Sequence, residues 1–569
     1  MPERIWSSRL ALRVGVSGHR DVRKYVPARL QIRLRTILKE IADAVAVVAR
    51  DAGPYYSGGP PLLRVVSPLA EGADRLVADE ADNLGWELQC PLPFHRDEYK
   101  KDFSGKASAD EFDKLLGKAI AILELDGDRA PESSPYETVG RVVLDHCDIL
   151  IAMWDGKPER GAGGTARIVA MAQTRGTPVF WMNVLTGEER LLREEWDGED
   201  RFLSPKTIRE IVGRLLLPPW LKERREKVKY QTGEYVVSMK TGKTILGSIW
   251  TAFGWVMSIG ARIPDREEYR DETLADPFRS HYQAVNERAK RIAGMFRGAF
   301  LVCYTLGVCA VVLALLNSVL GSFGWLIGEL AAITVVFGLV MLLRHNHWHD
   351  RSVECRYLAE QFRILRYVYP LGLTSPRPHM PAHNRHADVS GSWMDWHLRA
   401  VLRRTPMPSF VVSPEYLDRH WRLLRREWVV GQIVYHERNH LRLGAIDDAL
   451  HAFLWATAAL AAGACVLHLL PIHDMQIRPW LTLFAAGLPA AASGFHAIST
   501  QGEFRRLSER SEAMRASLEK FDKRLEKHEQ RGQLAMRNLR RFAAGVAQDM
   551  LAEVVDWHVL NITGPPVYP

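Results

Sequence analysis

Two glycine-rich turns and one acidic turn concentrate the residue types that grip phosphate and sugar. Gly15-Val16-Ser17-Gly18-His19-Arg20 closes an apolar run. Its glycines allow close backbone approach, and a helix starting after them would offer main-chain N–H groups and the positive end of its dipole to an anion. Ser67-Pro68-Leu69-Ala70-Glu71-Gly72-Ala73-Asp74-Arg75 closes a second run. There Glu71 or Asp74 could accept hydrogen bonds from ribose hydroxyls, or could cap the helix running through Val77. Asp155-Gly156-Lys157 closes a third run, and Arg160-Gly161-Ala162-Gly163-Gly164-Thr165 then opens an apolar-periodic helix. Glycines in either loop alone would serve a tight turn equally well. Two such loops on one edge, with Arg20 and Arg160 suited to bidentate phosphate contacts, favour a bound nucleotide.

The elements that must position these loops are short apolar runs at Leu12 to Ser17, Leu62 to Pro68, Leu88 to Pro93, Cys147 to Trp154 and Pro178 to Met182. They alternate with helical patterns between Leu10 and about Asn183, which predicts a doubly wound, mostly parallel α/β sheet of Rossmann type. Ligands of such folds sit at the carboxyl ends of the strands, where all three loops fall.

Residues 1–184 resemble the SLOG family, a Rossmann-like group that includes the LOG phosphoribohydrolases. The resemblance rests on Val14 to Arg20, Leu69 to Arg75, Leu92-Pro93-Phe94 with Glu98-Tyr99, and Gly161 to Thr165. It implies recognition of a nucleotide-derived molecule, such as an ADP-ribose derivative or a cyclic nucleotide. Catalytic relatives place an acidic residue just beyond the Gly-Gly-Thr turn; here Ala166, Arg167 and Ile168 follow. Without that carboxylate to handle a proton or stabilise oxocarbenium charge, sensing is expected rather than N-glycosidic cleavage, unless Glu71, Asp74 or Glu98 substitutes. No catalytic residue, cofactor or metal is assigned.

Behind this region lie four apolar runs: Gly298 to Leu316, Phe323 to Leu343, Leu450 to Leu470 and Trp480 to Ile498. Each approaches the roughly 20 residues a helix needs to cross about 30 Å of hydrocarbon. The 569-residue chain carries a net charge of +8, which could suggest nucleic acid. Its basic residues instead flank the runs at Arg288, Lys290, Arg291, Arg297, Arg344, Arg351, Arg438, Arg442, Arg505 and Arg506. By the positive-inside rule the loops near Gly321 and Asp474 are expected outside and both termini in the cytoplasm; the resemblance implies that the membrane is a bacterial inner membrane. Met1 to Arg13 lacks the pattern of a cleavable signal, and six cysteines without ligand spacing fit a reducing compartment.

The two hairpins read as copies. Arg351-Ser352-Val353-Glu354-Cys355-Arg356 aligns with Arg510-Ser511-Glu512-Ala513-Met514-Arg515, and Glu360 and Phe362 match Glu519 and Phe521. Tyr282 with Asn286 parallels Tyr435 with Asn439. Each unit reads helix, membrane hairpin, helix. Phe504, Leu507, Ser511, Met514, Leu518, Phe521 and Leu525 form a coiled-coil-type stripe on one trailing arm; Trp348, Ser352, Cys355, Ala359 and Phe362 do so on the other. This plan resembles SLATT domains, the two-transmembrane modules found beside SLOG sensors in bacterial conflict systems, and implies pore formation or membrane disruption by a homo-oligomer in anti-phage defence. Small-residue faces are expected at Ala486, Ala490 and Gly494 and at Ala459 and Gly463. Glu329 is the one acid inside a run, and His345, His347 and His349 read as interfacial rather than metal-binding.

The resulting organisation is a SLOG-like domain at 1–184, a connecting region at 185–279 without an interpretable motif, and a first two-span unit at 280–370. A linker with amphipathic helices follows at 371–434, then a second unit at 435–530 and a C-terminal helix and tail at 531–569. Within the linker, 371–391 reads as irregular, and the basic, aromatic stretches from Trp393 to Gln432 are expected along the inner membrane surface or docked on the first domain. A constitutive scaffold is the remaining alternative.

Overall fold

The computed structural model describes residues 8–22, 28–129, 133–158, 164–192, 201–222, 242–264, 276–374, 392–469, 477–530 and 535–563. The N-terminal strands are β1 (Arg9–Gly18), β2 (Ser57–Val66), β3 (Glu87–Leu92), β4 (Ala119–Glu124), β5 (Ile149–Trp154), β6 (Val179–Asn183), β7 (Glu189–Leu192) and β8 (Arg201–Phe202). Between them run α1 (Ala28–Asp51), α2 (Ala73–Asn83), α3 (Lys106–Leu116), α4 (Ser133–Asp145) and α5 (Thr165–Thr174), with α6 (Pro205–Leu216) after β8. All six residues of β5 are buried, as a strand covered by helices on both faces requires.

The expected doubly wound sheet is present. Its order is β8-β7-β6-β5-β1-β2-β3-β4-β9, where β9 is Phe410–Val411, with β1 to β6 and β9 paired in parallel and β7 and β8 antiparallel. The chain runs outward from β1 through β4, then returns to the other side at β5, so the order reverses beside β1. Gly15 pairs with Leu150 and Gly18 with Met153 across that boundary. A crevice opens at such a reversal because neighbouring loops diverge to opposite faces.

Strand β9 (Phe410–Val411) comes from far along the chain, beyond the first membrane hairpin. It extends the sheet beside Leu123 and Glu124, and the Val412 N–H donates to the Glu124 carbonyl at 3.0 Å. The stretch from Trp393 onward therefore docks on the sheet, the second of the two expected placements.

The membrane half consists of α7 (Ile245–Met257), α8 (Arg279–Leu320), α9 (Phe323–Asn346), α10 (Trp348–Val368), α11 (Trp393–Arg404), α12 (Pro414–Arg422), α13 (Gly431–Leu469), α14 (Arg478–Gly502), α15 (Phe504–Gln530) and α16 (Met536–Thr563). Leading arm and first span form one continuous helix in each unit, α8 and α13. The second span breaks before its trailing arm at His347 and at Glu503, both in the left-handed region at φ 47°. Two equivalent joints of a rare backbone type strengthen the duplication. Four helices are long and apolar enough to cross a membrane, and within their apolar windows between 11% and 28% of residues are buried. Leu326, Ile327, Leu330, Ile333 and Phe337 on α9 are exposed, a continuous apolar surface that water would not tolerate.

Each trailing arm folds back on its leading arm, α10 on α8 and α15 on α13. Trp348, Ser352, Cys355, Ala359 and Phe362 are all buried as expected. On α15, Phe504, Ser511, Met514, Leu518 and Leu525 are buried, while Ser508 takes the inward place expected of Leu507. The hairpins meet through α8 and α14. There Gly487 faces Val312 and Leu315, and a Cβ on Gly494 would lie 2.5 Å from Val308. This corrects the small-residue faces. Ala486, Ala459 and Gly463 are exposed and Ala490 is half-buried, whereas Gly487, Ala492, Gly494, Ala461 and Ala464 are buried. A run rich in small residues offers several such faces, and the neighbouring helix selects one.

One hydrophobic core crosses the boundary between the halves. It unites Ala121, Leu123, Leu125, Val139 and Val142 of the sheet domain with Phe362 and Leu365 of α10, Val401 of α11, Leu518 of α15 and Val546 of α16.

Candidate functional site

The loops that end β1, β2 and β5 converge where the strand order reverses. His19 N–H donates to the Met153 carbonyl at 3.0 Å, and the His19 carbonyl accepts from Ala73 N–H at 3.1 Å, tying β1 to the ends of β5 and α2. Gly72 makes this possible. At φ +90° a Cβ there would fall 2.2 Å from the Arg20 carbonyl oxygen and 2.4 Å from that of His19. Gly18 is closed in the same way, 2.3 Å from Ala73 Cβ and 2.6 Å from the Met153 carbonyl oxygen. The start of α2 closes on Gly18. Val22, four residues after Gly18, is already helical, as expected of a helix following the first loop; residues 23–27 lie outside the described residues, and α1 is described from Ala28.

The candidate residues divide by placement. Gly15 lies inside β1, where a Cβ would meet Val143 and the Cys147 sulfur at 2.8 Å, so its bareness seats α4. Ser17 is half-buried at the end of the strand. The His19 ring reaches Asp155, with Nε2 3.1 Å from Oδ1 and 3.2 Å from the main-chain nitrogen. A neutral ring accepts from that N–H; a protonated ring donates to the carboxylate. Burial works against ionisation of Asp155, but the Lys157 N–H, the His19 ring and the Lys157 ammonium outweigh it and hold the carboxyl below its ordinary value. Gly156 turns the chain at φ +75° under the Trp181 ring, which lies 5.4 Å from the Trp154 ring. Gly164 and Thr165 are half-buried at the head of α5. Arg160, Gly161 and Gly163 lie outside the described residues.

Arg20 is 47% exposed, 3.8 Å from Asp102 and stacked 5.2 Å above the Tyr136 ring. Asp102 also accepts from the Tyr136 hydroxyl and pairs with Arg129 at 2.9 Å. Arg129 in turn lies 4.7 Å over Phe94 and pairs with Glu98. Arg129 and Tyr136 follow β4, a strand missing from the expected set because Ala119-Ile120-Ala121-Ile122 reads as readily as helix. Applying the loop-after-strand rule to β4 would have found both.

The acids of the second loop take different places. Glu71 accepts from the N–H and hydroxyl of Ser104, both at 2.8 Å, and from Ser108. Its partial burial would raise the pKa, yet these donors bring it below the ordinary value. Asp74 is buried, and burial pushes its carboxyl up to about 7 despite the Ala70 N–H and the charges of Arg20 and Arg75. Arg75 itself braces the loop. It donates to the Leu69 carbonyl at 3.0 Å, to Ser108 and to Glu111, and so holds Leu69 in the left-handed region at φ 57°.

The arrangement offers two partly exposed guanidinium groups, Arg20 and Arg129, an imidazole–carboxylate pair, a protonatable carboxyl and aromatic walls from Tyr136 and Trp181. Those groups suit an anionic ligand bearing sugar hydroxyls. No family model matches the chain, and no curated protein matches it.

Proposed function

We propose that the protein is a bacterial membrane effector in which the SLOG-like sheet domain binds a nucleotide-derived signal and the SLATT-like hairpins respond by pore formation or membrane disruption. The observation that carries this reading is a connected path from the candidate site to α16, the helix that packs on arm α10. Arg20 pairs with Asp102, Asp102 with Arg129, and the segment after β4 that bears Arg129 also bears Asp126, which accepts from Met536 N–H of α16 at 2.9 Å. Glu124, the last residue of β4, pairs with Arg96 through its carboxylate and accepts from Val412 N–H beside β9 through its carbonyl. A ligand that draws Arg20 away from Asp102 would disturb this path. It must prefer one of two arrangements, since equal affinity for both shifts nothing.

The test is direct. Purified protein in vesicles is offered ADP-ribose derivatives and cyclic nucleotides while binding and dye leakage are recorded. Binding without conversion, together with ligand-dependent leakage, supports the proposal. Asp126→Asn should keep binding and weaken leakage. Leakage indifferent to every bound compound would remove the effector reading. Release of free base would favour a membrane-tethered N-glycosidase, for which Asp74, ionising near neutrality, is the carboxyl in place.

The expected setting is anti-phage defence at the inner membrane of a bacterium, with the arms and both termini cytoplasmic and several copies assembling. The basic residues at the arm-side ends of the spans support that orientation.

A further inference from the structure

The connecting region contains a helix with no evident reason to be where it is. Helix α7 is 13 residues long and carries no charge: Ile245-Leu246-Gly247-Ser248-Ile249-Trp250-Thr251-Ala252-Phe253-Gly254-Trp255-Val256-Met257. At 1.5 Å per residue it spans roughly 20 Å, too short to cross about 30 Å of hydrocarbon. A helix apolar on all sides must be covered on all sides.

Among the described residues, protein covers only one side. Leu246, Trp250, Phe253 and Met257 pack into a cluster with Phe300, Leu450 and Phe504, and Trp250 stacks on Phe504 at 5.9 Å with planes 7° apart. The crossing with α8 is tight. A Cβ on Gly294 would lie 3.2 Å from Gly247 Cα, and one on Gly298 would lie 2.0 Å from the Leu246 carbonyl oxygen. The other side is bare, with Ile245 83%, Trp255 68%, Val256 51% and Ile259 67% exposed and Ile249 on the same stripe.

The helix also lies at a defined level. It touches Gly298, the first residue of the first apolar run, and Phe504, just past the end of α14. Arg442, a few residues before the third run, reaches Gly254. All three mark where spans leave the arms. Lys243 and Arg262 flank the helix, both exposed, and the Arg297 guanidinium sits 5.5 Å over the Trp250 ring.

We infer that α7 lies in the plane of the membrane on the arm side, with Ile245, Ile249, Val256 and Ile259 among the acyl chains and Trp255, Lys243 and Arg262 at the lipid head groups. The occupant of the bare stripe is phospholipid of that leaflet, because the opposite face of α7 packs in one cluster with Phe300, Leu301 and Leu450 of the spans, whose own outer faces are exposed and apolar. This rests on the spans being in a bilayer, and the experiment separates the two. The full chain, with exposed Cys309 and Cys465 replaced by alanine, receives a single spin label at Ile249→Cys or Val256→Cys and is reconstituted in vesicles of phosphatidylethanolamine and phosphatidylglycerol. Labels at Ile333→Cys on α9 and at Lys243→Cys serve as references.

Collisions with oxygen should exceed collisions with a water-soluble nickel chelate at positions 249 and 256, as at 333, and the ratio should reverse at 243. Nickel-dominated signals at 249 and 256 alone overturn the placement of α7 and leave the spans standing. Nickel dominance at 333 as well overturns both. Exclusion of both reagents from 249 and 256 means that protein, such as a second copy, covers the stripe, and it too overturns the inference.

Discussion

Two aspartates, each about 7% exposed, sit at opposite ends of the same sheet and are handled in opposite ways. Asp148 precedes β5 at the arm-side end. Its burial would raise its pKa, but Arg13 at 3.3 Å and Arg403 of α11 at 3.0 Å drive it well below the usual carboxylate range. Arg64 finishes the arrangement by donating to the carbonyls of Arg403 and Arg404 at 2.6 and 2.7 Å. Asp74, at the loop end, forms no ion pair with a guanidinium among the described residues, and burial prevails. At the arm-side end the buried carboxylate is thus matched by the chain itself, although Arg13 Nη1 and both Arg403 Nη atoms keep no hydrogen-bond partner among the described residues. At the loop end the carboxylates are largely buried, but the side chains of Arg20, His19 and Arg129 that face them stay 40–47% exposed, where an added anion can reach them.

Four outcomes would break or sharpen this contrast. Asp148→Ala should have the largest effect, because it strands Arg13 and Arg403 as buried charges; a loss of about 3–5 kcal/mol is expected by chemical unfolding in detergent. A loss below about 1 kcal/mol would mean that the arm-side end is not held by its ion pairs. Gly72→Ala places a Cβ on the His19 and Arg20 carbonyls at positive φ, and should lower stability by about 1–3 kcal/mol while displacing the Arg20 loop. Thermal unfolding unchanged from the parent would show that the two loops are not in contact.

Arg20→Ala reverses the pattern. Stability should move by no more than about 0.5 kcal/mol, as at a surface position, whereas affinity for the phosphate-bearing ligand should fall about 10- to 100-fold by titration calorimetry. Equal affinity in the variant would remove Arg20 from the site. The smallest effect concerns pH. Asp74 has a folded-state pKa above its unfolded value of about 3.9, so its stabilising contribution is complete below about pH 4 and is lost as pH rises towards 7. Asp148 contributes above about pH 4 and loses that contribution as pH falls further. Asp74→Asn should flatten the decline in stability between pH 4 and 7 only in part, because Glu354, bonded to Trp393 Nε1 at 3.0 Å, is also pushed up to about 7. A decline as steep in the variant as in the parent would show that Asp74 is not the titrating group.

Much of the architecture could be read from pattern. Strands β1, β2, β3, β5 and β6 were legible because each is a compact apolar run bounded by turn residues, and the four spans because hydrocarbon imposes length and composition at once. The repeated arms were visible because a buried stripe recurs every three or four residues. Strand β4 escaped because alanine marks strands poorly, and β7 to β9 because two to four residues carry almost no periodic signal. Of the candidate site, the glycines Gly18 and Gly72 were identifiable by type, but their partners were not. That Gly72 abuts the backbone of Arg20 depends on loops more than 50 residues apart, and that Arg75 is an internal brace depends on Ser108 and Glu111, 33 and 36 residues further on.

Local composition determined which segments are strand, span or arm, since propensity, periodicity and the cost of exposing apolar surface act over a few turns of chain. Only the tertiary structure decided that the segment between the hairpins would extend the sheet through β9 and seal its arm-side end through Arg403, or that α7 would meet the spans where they enter the arms. Those choices rest on complementary surfaces brought together by folding: a free sheet edge, an unpaired buried carboxylate, and glycines that admit a crossing helix. No stretch of neighbouring residues contains both halves of such a match.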